Sequence, residues 1–246
     1  MILHVEDVSK GFRGLKALDN VSFEVQAGEI SSIIGPNGAG KSTLFNVMTG
    51  QFPPDTGKVI YKGEDITNLP PFEVFRKGIG RSFQKTNIFH ELTTYINIQV
   101  AVLSGEGRTR NILKPAKGMV RDATESLLES VGLIDNANHI ASQMAYGDQR
   151  RLEIGIALAN NPDFVFLDEP TSGVSVEEAK DIVELIQRLK EERGLTVLLI
   201  EHHMDVVFSV SERIRVLHEG RLIFEGKPDE VRKSDEVQRI YLGEER

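Results

Sequence analysis

The chain has 246 residues, 40% hydrophobic and 27% charged, which suits one large domain or a core domain carrying a subdomain. A net charge of −8 and a pI of about 5.4 argue against a general nucleic-acid binder, whose footprint would be a basic face. The absence of cysteine removes disulfides and thiolate metal sites, no apolar run reaches the length of a membrane span, and the N-terminus lacks the build of a signal peptide.

In chain order, Ile2 to Val8 and Ala17 to Val25 read as strands, with Asp19-Asn20 and Ala27-Gly28 as turn signals. The loop between them, Lys10 to Leu15, carries Phe12 between two glycines. Phe12 has two readings, a stacking platform for a purine ring or a satellite core contact. Ile30 to Ile34 is an apolar strand apart from two serines. It runs straight into Gly35-Pro36-Asn37-Gly38-Ala39-Gly40-Lys41-Ser42-Thr43, which fits the pattern Gly, four residues, Gly-Lys-Ser/Thr without a gap. The glycines let the backbone curl around an anion with its N–H groups pointing inward, and the helix beginning near Ser42 adds the positive end of its dipole. Lys41 is placed to reach the β- and γ-phosphates, and the Ser42 hydroxyl to ligate Mg²⁺. This is a nucleotide-binding loop.

Lys58 to Tyr61 with Lys62-Gly63 predicts a hairpin, and Leu69-Pro70-Pro71 opens a short helix to about Lys77. Ile79 to Gln84 reads as a strand ending at a polar amide. From Lys85 to about Gln149 helical periodicity dominates, broken by the glycine-rich basic stretch Ser104 to Gly118, which reads as a mobile loop. Val120, Ala123, Leu127, Leu128 and Val131 fall on one helical face. Asp163 to Leu167 is a buried-strand run ending in Asp168-Glu169. Ala179, Ile182, Val183, Ile186 and Leu189 form a helical stripe closed by Gly194. Thr196 to Ile200 is another buried strand, ending in Glu201-His202-His203; Arg213 to Phe224 is a hairpin about Glu219-Gly220, and Lys227 to Leu242 is helical. Strands alternating with helices around a phosphate loop give an α/β core with a mainly parallel sheet and an inserted helical subdomain.

In a parallel sheet, ligands bind beyond the carboxyl ends of the strands, so Asp168, Glu169, His202 and Gln84 converge on the phosphate loop. Phosphoryl transfer to water needs a cation that neutralises charge and a positioned water. Asp168 suits the first task and Glu169 the second, as general base. His202 is suited to hydrogen-bond the γ-phosphate and orient the water, although a lone histidine is more often structural. Gln84 can reach either Mg²⁺ or the water.

The discriminating stretch is Met144 to Glu153, a loop opening a helix shortly before the carboxylate strand. Here the chain resembles the ATP-binding-cassette (ABC) ATPases, whose Leu-Ser-Gly-Gly-Gln signature falls on Met144 to Asp148. The order of the remaining motifs agrees: Phe12 as adenine-stacking aromatic, the phosphate loop, Gln84, the signature, Asp168 to Ser172, then His202. The resemblance implies a core over 1–84 and 150–226 that includes an N-terminal antiparallel β-subdomain, a helical subdomain over 85–149, and a helical tail over 227–246. It also implies Mg²⁺-dependent ATP hydrolysis by two cassettes paired head to tail. Each ATP lies between one chain's phosphate loop and the other's signature residues Ala145, Tyr146, Gly147 and Asp148. Three departures stand out: Ala145 lacks the signature hydroxyl, Asp148 brings a negative charge toward a triphosphate, and Gly173-Val174-Ser175 replaces the usual Ala-Leu-Asp of the D-loop, the segment after the carboxylate pair.

The Ala-Tyr-Gly signature with Gln149-Arg150-Arg151-Leu152-Glu153, the Gly78 to Gln84 stretch and the ending from Glu225 to Gly243 are similar to the ATPase subunits of branched-chain amino acid importers. Such a subunit implies a peripheral place on the cytoplasmic face of the plasma membrane, transmembrane permease partners, a second cassette and, indirectly, a solute-binding protein. Lipopolysaccharide-export and urea-importer ATPases share much of this layout, and a soluble ABC ATPase is a further alternative. Ile88, Phe89 and Leu92 have two readings, as anchors for a permease helix or as core of the helical subdomain.

Overall fold

The computed structural model describes residues 1–82, 88–105 and 120–243. Two sheets share the work. The first is antiparallel, with spatial order β2-β1-β4-β5, built from β1 (Leu3–Phe12), β2 (Leu15–Val25), β4 (Thr56–Tyr61) and β5 (Glu64–Asp65). The second has order β10-β9-β3-β8-β7-β6. Its members are β3 (Ile30–Ile34), β6 (Ile79–Arg81), β7 (Phe164–Asp168), β8 (Thr196–Ile200), β9 (Arg213–His218) and β10 (Arg221–Gly226). Every pairing in it is parallel except β9 with β10. The strands β3, β7 and β8 are buried along their whole length, which is why they read as near-continuous apolar runs rather than alternating ones.

The sequence places the first hairpin too conservatively. The strands run on to Phe12 and resume at Leu15, so the expected loop is a two-residue turn at Arg13-Gly14. Asp19-Asn20 is not a turn. Asn20 lies inside β2 in the left-handed region (φ 51°), and its backbone and side chain both bond the Ser9 hydroxyl where the strand register shifts. An asparagine tolerates that conformation, so a local irregularity imitates a chain reversal.

The helices are α1 (Lys41–Met48), α2 (Pro71–Arg76), α3 (Thr94–Gly105), α4 (Arg121–Ser130), α5 (Tyr146–Ala157), α6 (Val176–Arg193), α7 (Met204–Val210), α8 (Pro228–Lys233) and α9 (Asp235–Gly243). In α4 the expected stripe holds at Leu127, Leu128 and Val131, but Ala123 is exposed and Thr124 takes the inward place. The Thr124 hydroxyl bonds Val120 O one turn back, so it is buried without an unsatisfied polar group. Most of the glycine-rich stretch lies outside the described residues; Ser104 and Gly105 close α3. Helix α5 crosses the expected boundary at residue 149. It packs on α3 at Gly155, where a Cβ would come within 2.8 Å of Ile98 Cδ1, and one apolar cluster continues from these helices onto the sheet.

Two features of the core position the site. Phe45 of α1 meets Phe166 of β7 edge-on at 4.9 Å between ring centroids, locking the helix after the phosphate loop to the strand that carries the carboxylates. On β9, Arg215 is fully buried, pairs with Glu225 at 3.0 Å, donates to Glu24 O and lies 4.9 Å from the Phe23 ring. It thereby ties the antiparallel sheet to the β9–β10 hairpin, whose Gly220 N–H donates to Ala39 O in the phosphate loop at 2.9 Å. Arg215→Ala would empty a fully buried site and leave Glu29 and Glu225 only the more exposed Arg213, so it should cost roughly 1–3 kcal/mol of stability, read as a lower urea midpoint.

Candidate ATP-hydrolysing site

The phosphate loop fills the turn between β3 and α1. Gly35 is there because its α-carbon abuts the chain: a Cβ would overlap Leu217 O. Gly40, the residue before the helix, has φ 101°, and a Cβ would stand 2.5 Å from Ala17 O. The first N–H to bond back along the helix is that of Leu44, to Gly40 O at 2.9 Å. As in any helix, the first-turn N–H groups have no carbonyl one turn back to receive them, and here residues 41–43 of that turn line a cleft. Lys41 is 6% exposed, and its ammonium donates to Gly35 O at 2.6 Å and Pro36 O at 2.9 Å. Its side chain therefore folds back over the loop it belongs to.

This cleft, about 650 Å³, is lined by residues 37–43 and by Leu15, Lys16 and Ala17 of the first hairpin. Glu169, His202, Glu219 and Gly220 close it. Phe12 is not among its lining residues. It stands across the hairpin from Leu15, 40% exposed and edge-on to Phe52 at 5.5 Å, while Leu15 is 74% exposed. Leu15 and Lys16 were not singled out by sequence, because a Leu-Lys pair on a strand carries no motif.

Asp168 and Glu169 end β7 with different environments. Asp168 is buried, and its N–H donates to Ser82 Oγ at 3.1 Å. Burial pushes its carboxyl above the usual carboxylate range; neighbouring Glu169 pushes the same way, while Arg81, His202 and Lys41 partly offset them. Arg81 is itself held by Asn46 Oδ1 at 2.8 Å and the Thr49 hydroxyl, so α1 and β6 jointly aim it. Glu169 is in the left-handed region (φ 50°), a position a non-glycine residue holds only when its surroundings over-determine it. They do: its N–H donates to Ile200 O at 2.9 Å, and its carbonyl accepts from Ser172 N at 3.1 Å. Its carboxylate meets His202 Nε2 at 3.0 Å.

A buried carboxylate that the sequence leaves without a role explains why His202 stands there. Glu201, 1% exposed, accepts from Thr171 N at 3.0 Å, Thr171 Oγ1 at 2.6 Å, His202 N at 3.0 Å and His203 N at 3.4 Å. It therefore fastens the segment after Asp168-Glu169 to the segment carrying His202. Gln84 lies outside the described residues.

The signature segment opens α5. Ala145 is the N-cap residue and supplies no side-chain cap. Glu178, reaching from α6, does instead: its Oε1 accepts from Gly147 N at 3.2 Å while Oε2 accepts from Ser175 N at 2.9 Å. Asp148 turns aside to Asn136 Nδ2 at 3.1 Å and Arg151 at 4.0 Å, so its charge is partly matched within the chain. Ile88 is buried, in agreement with the core reading, whereas Phe89 and Leu92 remain exposed.

Comparisons with known proteins agree on one group. Residues 18–172 match the family model described as ABC transporter, and residues 221–246 match the model for branched-chain amino acid ATP-binding cassette transporters. The chain belongs to the ABC transporter ATP-binding family. It is 39% identical to the high-affinity branched-chain amino acid transport ATP-binding protein LivG of Escherichia coli strain K12, covering 99% of this chain and 98% of LivG. The lipopolysaccharide export system ATP-binding protein LptB of Haemophilus influenzae is 36% identical over the same shares. Among solved structures, the ADP conformation of the cassette MJ1267 superposes with a TM-score of 0.85 at 34% identity, covering 98% of each chain. A dimeric post-hydrolysis cassette, MJ0796 bound to ADP and Pi, does so at 0.78 and 30%, covering 92% of this chain and 99% of that one.

The raised affinity of Asp168 for a proton has a consequence for stability. Because burial raises the folded-state pKa above the unfolded value, stability present at acid pH is lost as pH rises through the folded pKa. Asp168→Asn mimics the protonated form and avoids that loss. The nucleotide-free variant should therefore melt higher than the parent at pH 7, with the gap narrowing toward about pH 4, near the unfolded carboxylate pKa.

Proposed function

We propose that the chain is the ATPase subunit of a branched-chain amino acid importer, hydrolysing ATP on the cytoplasmic face of the plasma membrane. The observation that carries the chemistry is the Glu169–His202 contact of 3.0 Å at the mouth of the phosphate-loop cleft. ATP would lie along that cleft with its phosphates against residues 35–43 and its base near Phe12 and Leu15 on the hairpin. Lys41, a lining residue of the cleft, would exchange its carbonyl partners for phosphate oxygens. Glu169 would take a proton from the attacking water as the bond between the β- and γ-phosphates breaks, with His202 holding the γ-phosphate and water in line.

The donor set fits a magnesium ion. The Ser42 hydroxyl is exposed in the cleft, and Asp168 is a buried carboxylate whose charge only a nearby cation would fully compensate. Among the described residues no group of three or more His, Cys, Asp or Glu could hold a metal alone. Phosphate oxygens and water would therefore complete the shell, as is usual for Mg²⁺. When bound, the ion supplies charge neutralisation at the β- and γ-phosphates; Gln84 is assigned to the same shell from its motif.

Two cassettes would pair so that Ala145, Tyr146, Gly147 and Asp148 of one complete the site of the other, a reading supported by the dimeric neighbour. No described helix is long and apolar enough to cross a membrane. Transmembrane permease subunits would engage exposed Phe89 and Leu92, and a solute-binding protein would deliver the cargo to them. The choice of cargo rests on the likeness to LivG and on the match of residues 221–246. The likeness to LptB keeps export as the second reading.

Glu169→Gln should slow hydrolysis by about 10²- to 10⁴-fold while retaining ATP binding, and should accumulate an ATP-bound dimer on size-exclusion chromatography. Undiminished hydrolysis would remove Glu169 as general base. Native membranes solubilised in mild detergent should yield the chain with two permeases, a second cassette and a solute-binding protein, identified by mass spectrometry. Recovery with export permeases would replace the importer reading.

A further inference from the structure

We infer that Arg150 is a positioning residue for Glu169, through which the first turn of the signature helix sets the geometry of the general base in the same chain. The inference rests on the proposed role of Glu169. Arg150 is a charged side chain only 4% exposed, on α5. One end of its guanidinium is fixed by Glu153 Oε2 at 2.8 Å. The other, Nη2, donates to the Tyr146 hydroxyl at 2.9 Å and to Ser172 O at 3.3 Å, and the guanidinium carbon lies 5.0 Å from the Tyr146 ring centre. Ser172 is the residue whose N–H donates to Glu169 O. One short path thus runs from the signature tyrosine, through a planar cation and one residue's two backbone groups, to the carbonyl of Glu169.

The path is reinforced on the same side. The Tyr146 ring packs on Gly173, where an added Cβ would come within 2.9 Å of Cε1, and Gly147 N is bonded to Glu178. On the opposite side Glu201 holds Thr171 by two hydrogen bonds. The segment from Thr171 to Ser175 is therefore gripped between two buried charges, Arg150 and Glu201, and begins two residues after one held in the left-handed region. A strained backbone keeps its conformation only while such restraints persist, so loosening Arg150 would let Glu169 relax away from its contact with His202. A lysine keeps the charge but cannot present two parallel donors in one plane, which makes Arg150→Lys the informative change.

The test is a double-mutant cycle on ATP hydrolysis by the full chain, using Arg150→Lys, Glu169→Gln and the pair. Arg150→Lys should lower kcat about tenfold or more while KM for ATP stays within about twofold, since the phosphate loop is untouched. In the Glu169→Gln background it should cause no further loss, because the residue it acts through is already gone. Tyr146→Phe, a milder change on a half-exposed ring, should lower kcat by a smaller factor, again at constant KM. An unchanged kcat, a proportional rise in KM, or the same factor repeated in the Glu169→Gln background would overturn the role of Arg150 while leaving Glu169 as base. Full-rate hydrolysis by Glu169→Gln alone would overturn both.

Discussion

The site depends on how closely the phosphate loop is pressed against its neighbours. At Gly35 the α-carbon abuts Leu217 of the adjacent strand, and at Gly40 it abuts Ala17 of the first hairpin. These contacts leave no space for a Cβ, so the loop can curl only if both residues are glycine. The same closeness brings Gly220 N–H onto Ala39 O and Asp19 N–H onto Gly220 O, so three segments distant in sequence form one backbone-bonded rim. A loop built this way is preorganised. Its curl is set before any phosphate arrives, and little ordering remains to oppose binding.

Around that rim the parallel sheet does the sorting. The strands β3, β7 and β8 are neighbours with matched register, so their carboxyl ends deliver Gly35, Asp168-Glu169 and Glu201-His202 to one edge. Burial then separates the two adjacent carboxylates. Asp168 lies under the cleft among Arg81, Lys41 and His202, suited to a cation, whereas Glu169 is turned by its unusual φ toward His202 at the mouth. Two side chains of the same chemistry thus acquire different environments from their surroundings alone.

The helices add a second layer of control. The signature helix has no side-chain cap at Ala145, and Glu178 supplies an acceptor for Gly147 N from another helix. The same interface carries Arg150, so hydrogen bonds join the signature segment to the segment that holds Glu169.

Much of this was legible in the residues themselves. The phosphate loop, the apolar runs of β7 and β8, the stripe of α6 and its Gly194 cap are local patterns, in which spacing and residue type decide the outcome. The alternation of strands and helices was enough for the parallel α/β core, and motif order was enough for the family. Other features became visible only in three dimensions. Glu201, Arg150, Arg215 and Ser82 have no individual role that sequence assigns, even where they lie in a family stretch, and their importance comes from partners 30, 22, 191 and 86 residues away in sequence. The first hairpin ran further than its turn signals suggested, because Asn20 absorbs an irregularity within the strand. Phe12 was placed by its motif, but which hairpin residues line the cleft was settled by strand register. Local propensity and pattern specify elements, whereas buried charges and strained backbones are held by long-range contacts, which no window of sequence contains.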